Sequence, residues 1–82
     1  MRRSRAGEPI SVENLVIIPL EDMTVEKIES DRRLSIYASK SLLGVVIWSP
    51  HGLWGLDTQG RSVPVETYLD HVEGLRQVLD NL

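Results

Sequence analysis

Residues 42–48 read LLGVVIW, an apolar run broken only by Gly44 and centred on the β-branched Val45, Val46 and Ile47. A run of this kind predicts a strand covered on both faces, which places it centrally in a sheet. Ser49, Pro50, His51 and Gly52 then predict a turn, because Pro50 fixes its own φ and Gly52 tolerates a positive one. Residues 53–56 predict a returning strand. Asp57, Thr58, Gln59 and Gly60 predict a second turn, and residues 61–63 a short third strand.

The period changes after Pro64. Val65, Tyr68, Leu69, Val72, Leu75, Leu79 and Leu82 recur at spacings of three and four, apart from the adjacent pair Tyr68 and Leu69. That spacing predicts one long amphipathic helix reaching the end of the chain, with Pro64 in its first turn, Ser62 or Val63 near its cap and Glu66 favoured by the positive end of the macrodipole. Glu66, Asp70, Glu73 and Asp80 fall on the opposite, solvated face, together with Gly74, which costs about 1 kcal/mol relative to Ala. Arg76 lies inside the apolar arc and is expected to snorkel towards Glu73 and Asp80. The stripe spans too few heptads for a sustained coiled coil and is expected to cover the sheet.

Residues 1–9 show no periodicity and are expected to form a flexible basic arm ahead of a single domain spanning residues 10–82. Residues 12–18 predict a strand ending at Pro19, with Ile10 as an extension. Thr24 is a good helix cap, and Met23 is spaced to staple against Ile28, so a short helix is expected there. Val25 and Ile28 would form its narrow apolar face, Glu26, Lys27, Glu29 and Asp31 would point outwards, and Arg32 and Arg33 would close its negative end. Leu34, Ile36 and Ala38 alternate with Ser35, Tyr37 and Ser39, the period of a strand with one wet face; Ser39, Lys40 and Ser41 read as a polar connection. The expected fold is therefore α+β: a small mixed, mostly antiparallel sheet in the order β-α-β-β-β-(β)-α, with a long C-terminal amphipathic helix packed on one face.

Length sharpens the picture. A chain of 82 residues buries only about 60–65% of its unfolded surface, so a lone domain is marginal and dimerisation is a natural remedy. There is no cysteine, hence no disulfide, thiolate metal site or thiol nucleophile. Arg2, Arg3 and Arg5 are followed by Gly7, Glu8 and Pro9 instead of an apolar segment, which points to a soluble, cytoplasmic protein with no membrane contact. The formal net charge is -3; three of the nine basic residues lie in the first five positions, so a basic start precedes an acidic body.

Candidate chemistry is sparse. His51 and His71 have no second ligand at metal-binding or catalytic spacing, and Gly52, Gly55 and Gly60 lack the strand-to-helix context of a phosphate loop. No metal, cofactor or catalytic residue is expected, and the chain does not read as an enzyme. With no Phe, the aromatic inventory is Trp48, Trp54, Tyr37 and Tyr68. Trp54, His51 and Trp48 surround one hairpin tip and are the candidate binding residues, with Trp54 expected to be the more exposed indole. The leading expectation is a small non-enzymatic interaction or adaptor protein that binds a protein partner or a second copy of itself through a sheet edge or the C-terminal helix. The alternative is a nucleic-acid-binding regulator, with Arg2, Arg3, Arg5, Arg32 and Arg33 on phosphates and the hairpin aromatics stacking on bases. It requires Arg32, Arg33, Lys40 and Arg61 to converge on one face.

Overall fold

Alternating and β-branched positions on either side of residues 30–33 pair along their whole length. They form two long antiparallel strands, β3 (Leu15–Ser30) and β4 (Arg33–Ser49), in register from Val16 opposite Trp48 to Ser30 opposite Arg33. The structure, a computed structural model, describes residues 2–30 and 32–82; Met1 and Asp31 lie outside the described residues, as do the side chains of Ile28 and Leu34. At about 3.3 Å per residue, β4 alone spans about 55 Å. It thereby sets the long axis of a molecule measuring 57 × 23 × 21 Å.

The sheet is completed by β1 (Arg2–Ala6), β2 (Ile10–Val12), β5 (Gly52–Asp57) and β6 (Ser62–Val63), in the order β1-β3-β4-β5-β6 with β2 also on β3, and every one of these strand pairs is antiparallel. β2 and β1 share one edge of β3: β2 lies opposite residues 15–17 and β1 opposite residues 20–24. Pro19 falls in the gap between them, so its missing N–H deprives neither strand of a ladder bond, while its carbonyl accepts from the Gly7 N–H at 2.7 Å. One register shift, between Leu20 and Glu21, leaves Leu43 as the extra residue of a bulge.

Two short helices, α1 (Val65–His71) and α2 (Leu75–Asp80), cover one face of this mostly antiparallel sheet. Ile18, Leu20 and Val46 rise from the sheet to meet Val65, Tyr68, Val72 and Leu75 from the helices. Tyr68 lies across Gly44 and Gly55. A Cβ at Gly44 would collide with the Tyr68 hydroxyl and the Leu56 carbonyl, and one at Gly55 with the Val63 carbonyl. The Tyr68 hydroxyl donates to the Leu56 carbonyl at 3.0 Å. Burial, and secondarily the charge of Asp57, push its pKa upwards.

Five expectations are corrected. The helix foreseen from Thr24 is part of β3: its apolar face was too narrow to hold an isolated short helix, and pairing of residues 24–30 with residues 33–39 satisfies the same backbone groups. Residues 39–41 continue β4 instead of connecting two strands. Arg2–Ala6 is a strand where a flexible arm was expected, and residues 10–12 turn back at Glu13 (φ 55°) to pair with residues 15–17. The long C-terminal helix is two helices. Val72 is extended and Gly74 left-handed (φ 82°), because Glu73 leaves the helix to cap the free edge of β1, donating to the Ser4 carbonyl and accepting from the Ala6 N–H, both at 2.9 Å.

The close approach of the Val63 carbonyl predicts that Gly55→Ala lowers stability by about 1–3 kcal/mol, since the added methyl must displace strand backbone. Tyr68→Phe, which removes only the hydroxyl, is expected to cost about 0.5–1.5 kcal/mol. Urea unfolding of the two variants measures both, and equal stability of Gly55→Ala and the parent would contradict the packing described.

Candidate interaction surface

Cross-strand partners share a face of the sheet, so the registers state which side chains point together. Ile18 and Val46 share the helix-covered face. The opposite face carries one row formed by Ile10, Ile17, Ile47 and Trp54 and a second formed by Pro19, Val45 and Leu56. Both helices pack on the first face. On the second, Ile10 is 54% and Trp54 47% exposed, Leu42 is exposed, and the central residues Ile17, Val45, Ile47 and Leu56 are half-buried beside their sheet neighbours.

Beyond this body the paired strands continue as a two-stranded ribbon. β1 stops opposite Thr24 and β5 stops opposite Gly44, so among the described residues the ribbon beyond residue 25 has no further strand on either edge. Ile36, opposite Lys27, and Tyr37, opposite Glu26, stand on its two faces, 65% and 60% exposed. At its tip Arg32 is held at φ 72°.

The ion pairs gather along the first strand and the β3–β4 ladder. Arg2 donates from Nε to Asp22 Oδ2 at 2.9 Å, and the Ser4 hydroxyl donates to Oδ1 of the same carboxylate at 2.9 Å. Arg3 grips Glu73 with two bonds of 2.6 and 2.7 Å, tying the first strand to the junction of the helices. Glu21 stands between Lys40 at 3.1 Å and Arg5 at 3.4 Å, and Lys27 pairs with Glu29 at 2.8 Å. The guanidinium of Arg2, aided by Ser4, holds Asp22 below its ordinary pKa; Arg3 does the same for Glu73, and Lys40 for Glu21.

Arg2, Arg3 and Arg5 therefore form ion pairs along the first strand in place of a free cationic arm. Arg32 and Arg33 are exposed at the ribbon tip, whereas Arg61 lies in the β5–β6 turn, level with Gly44 through the pairing of Asp57. Ten residues of β4 lie between Arg33 and Gly44, about 35 Å of strand, so these cations do not converge. Arg76 is exposed on α2, and its expected partner Glu73 is bonded to Arg3.

The three residues around the hairpin tip are also separated. Trp54 belongs to the uncovered face beside Ile47; Trp48 pairs with Leu53 on the helix side and is half-buried. His51 is exposed in the turn, its N–H donating to Ser49 Oγ at 3.1 Å, and His71 ends α1 in solvent. Leu53, Trp54, Val63, Pro64 and Leu69 line an open cleft of about 310 Å³ between β5 and α1. Among the described residues no three His, Asp or Glu side chains converge as metal ligands, and no helix is long and apolar enough to cross a membrane. The residues that sequence reasoning passed over are Ile10, Ile17 and Ile47. The signal for Ile47 was present in the run at 42–48, which is apolar on both of its faces.

Comparison of the chain with protein-family models, with curated proteins and with solved structures finds no match.

The matched carboxylates predict acid sensitivity. Asp22 titrates lower when folded than its unfolded value of about 3.9, so its contribution to stability is complete above about pH 5 and is lost as the pH falls through the folded value. Glu73 and Glu21, also lowered, act with the same sign. The melting temperature is expected to fall between about pH 4 and pH 2, and Asp22→Asn to flatten that fall. An Asp22→Asn protein with the parent's pH profile would show that the Arg2 and Ser4 contacts contribute nothing.

Proposed function

We propose that this is a small non-enzymatic interaction protein that works in association with further copies of itself. The observation that carries this reading is an excess of surface. A compact monomer of 9.3 kDa exposes about 5,000 Å², whereas this chain exposes 6145 Å². Its radius of gyration of 15.6 Å likewise exceeds the roughly 12 Å of a compact chain of 82 residues. A domain this short has little stability to spare, and association returns the surplus surface to a protected environment.

The sheet, rather than the C-terminal helix, is the element free to associate. Val65, Tyr68, Val72 and Leu75 are already buried in the chain's own core and Leu69 and Leu79 pack against it, which leaves Leu82 as the exposed residue of the helical stripe. The nucleic-acid reading draws less support, because Arg2, Arg3 and Arg5 are paired with carboxylates and the remaining cations are dispersed.

Light scattering over a dilution series tests the reading. The expected mass at tens of micromolar is about twice 9.3 kDa, declining towards 9.3 kDa on dilution. A mass of 9.3 kDa at every concentration would remove self-association as the function.

A further inference from the structure

We infer that two copies of this chain join edge to edge through the free stretch of β4, residues 33–41 of each running antiparallel about a twofold axis at Tyr37, so that their ribbons merge into one four-stranded sheet. The pairing rests on the self-association proposed above and names the edge and the register it uses. The first support is the state of the ribbon. Residues 36–42 are exposed without exception, and β5 stops opposite Gly44, so among the described residues no strand meets this edge of β4. Alternate residues of the stretch turn backbone N–H and C=O groups outwards, and a further strand satisfies such a row. A lone two-stranded ribbon is marginal in water, whereas three or more strands stand on their own. The ribbon also accounts for the surplus of about 1,100 Å² over a compact monomer, more than the roughly 800 Å² that a stable dimer removes from each partner.

The second support is the difference between the ribbon's two edges. β3 continues along it with Glu26, Lys27 and Glu29, a run of charge of the kind that keeps an edge from pairing. Residues 34–42 of β4 carry a single charge, Lys40, and no Pro. The third support is that this stretch fits itself. Outward-facing groups recur at every second residue, so two antiparallel copies match them only when the axis passes through a residue. An axis at Tyr37 sets Ile36 opposite Ala38 of the second copy, Ser35 opposite Ser39 and Leu34 opposite Lys40, with no like charges directly opposed. Arg33 of the second copy then falls opposite Ser41, three residues short of Gly44, which leaves room for the turn that follows Asp57. The two Tyr37 side chains, 60% exposed in the single chain, meet at the axis as an aromatic pair.

The chain has no cysteine, so introduced thiols read the register. Tyr37→Cys sets a thiol opposite its own copy with about 5 Å between Cα atoms, within the span of a disulfide. In Ser39→Cys the two thiols stand four residues of strand apart, roughly 13 Å. Under glutathione oxidation Tyr37→Cys is expected to form a covalent dimer about tenfold or more faster than Ser39→Cys, and the double variant Ser35→Cys with Ser39→Cys to cross-link as fast as Tyr37→Cys. Equal rates for the two single variants overturn the pairing. Tyr37→Lys brings two like charges together at a position the fold leaves exposed, and light scattering beside the parent reads the edge without oxidation. The expected result is a variant that stays folded by circular dichroism and dissociates at a concentration about tenfold or more above the parent's. A folded variant as dimeric as its parent overturns the edge but leaves self-association standing. A parent that is monomeric at every concentration overturns both and leaves the edge to a strand of another protein. Should Tyr37→Lys not fold, the cross-linking rates decide.

Discussion

The antiparallel ladder between β3 and β4 is the constraint from which the rest of the molecule follows. Because side chains alternate across a strand, its register assigns the described, paired residues of β3 and β4 to one of two faces, and a slip by one residue would exchange them. The same ladder extends past the body as a ribbon, giving a chain of modest size a long axis of 57 Å. Everything else is attached to it: β5 and β6 on one side, β2 and β1 in tandem on the other, with Pro19 tolerated at the junction where no donor is needed.

The helix-covered face is closed by two local devices. Glycines at 44 and 55 let the ring of Tyr68 lie against strand backbone, where its hydroxyl satisfies the Leu56 carbonyl. The break at residues 72–74 then trades helical hydrogen bonds for a pairing of Glu73 with the edge of β1, and Arg3 adds a charged contact to the same residue. The beginning and end of the chain are thereby joined by both backbone and side chains. Exposed ion pairs of this kind contribute little individually, so the backbone bonds and the apolar contacts beneath them carry the closure.

The opposite face has no such cover, and this asymmetry bears on function. Apolar rows run across four strands there, and the chain's two helices are both committed elsewhere. The candidate residues drawn from the hairpin tip divide between the two sides: Trp54 joins the uncovered rows, Trp48 turns towards the helices, and His51 stands between them in the turn. The apolar rows on that side are built from residues far apart in the chain.

From the amino-acid order alone the central strand at 42–48, the turns around residues 50 and 59, and the identity of the core-facing helical residues could be read, because each rests on local periodicity or on the backbone freedom of Pro, Gly and Asp. Gly74 was visible as a weakness in the helix, but not the reason for its break, which is a hydrogen-bonding edge offered by Ser4 and Ala6 some seventy positions earlier. Likewise, residues 24–30 carry a spacing compatible with a short helix, and only the alternating strand opposite them selects the extended form. Tertiary structure decided these points, and with them which apolar face is covered, because hydrogen-bond partners and buried faces are supplied by distant segments that local patterns do not specify.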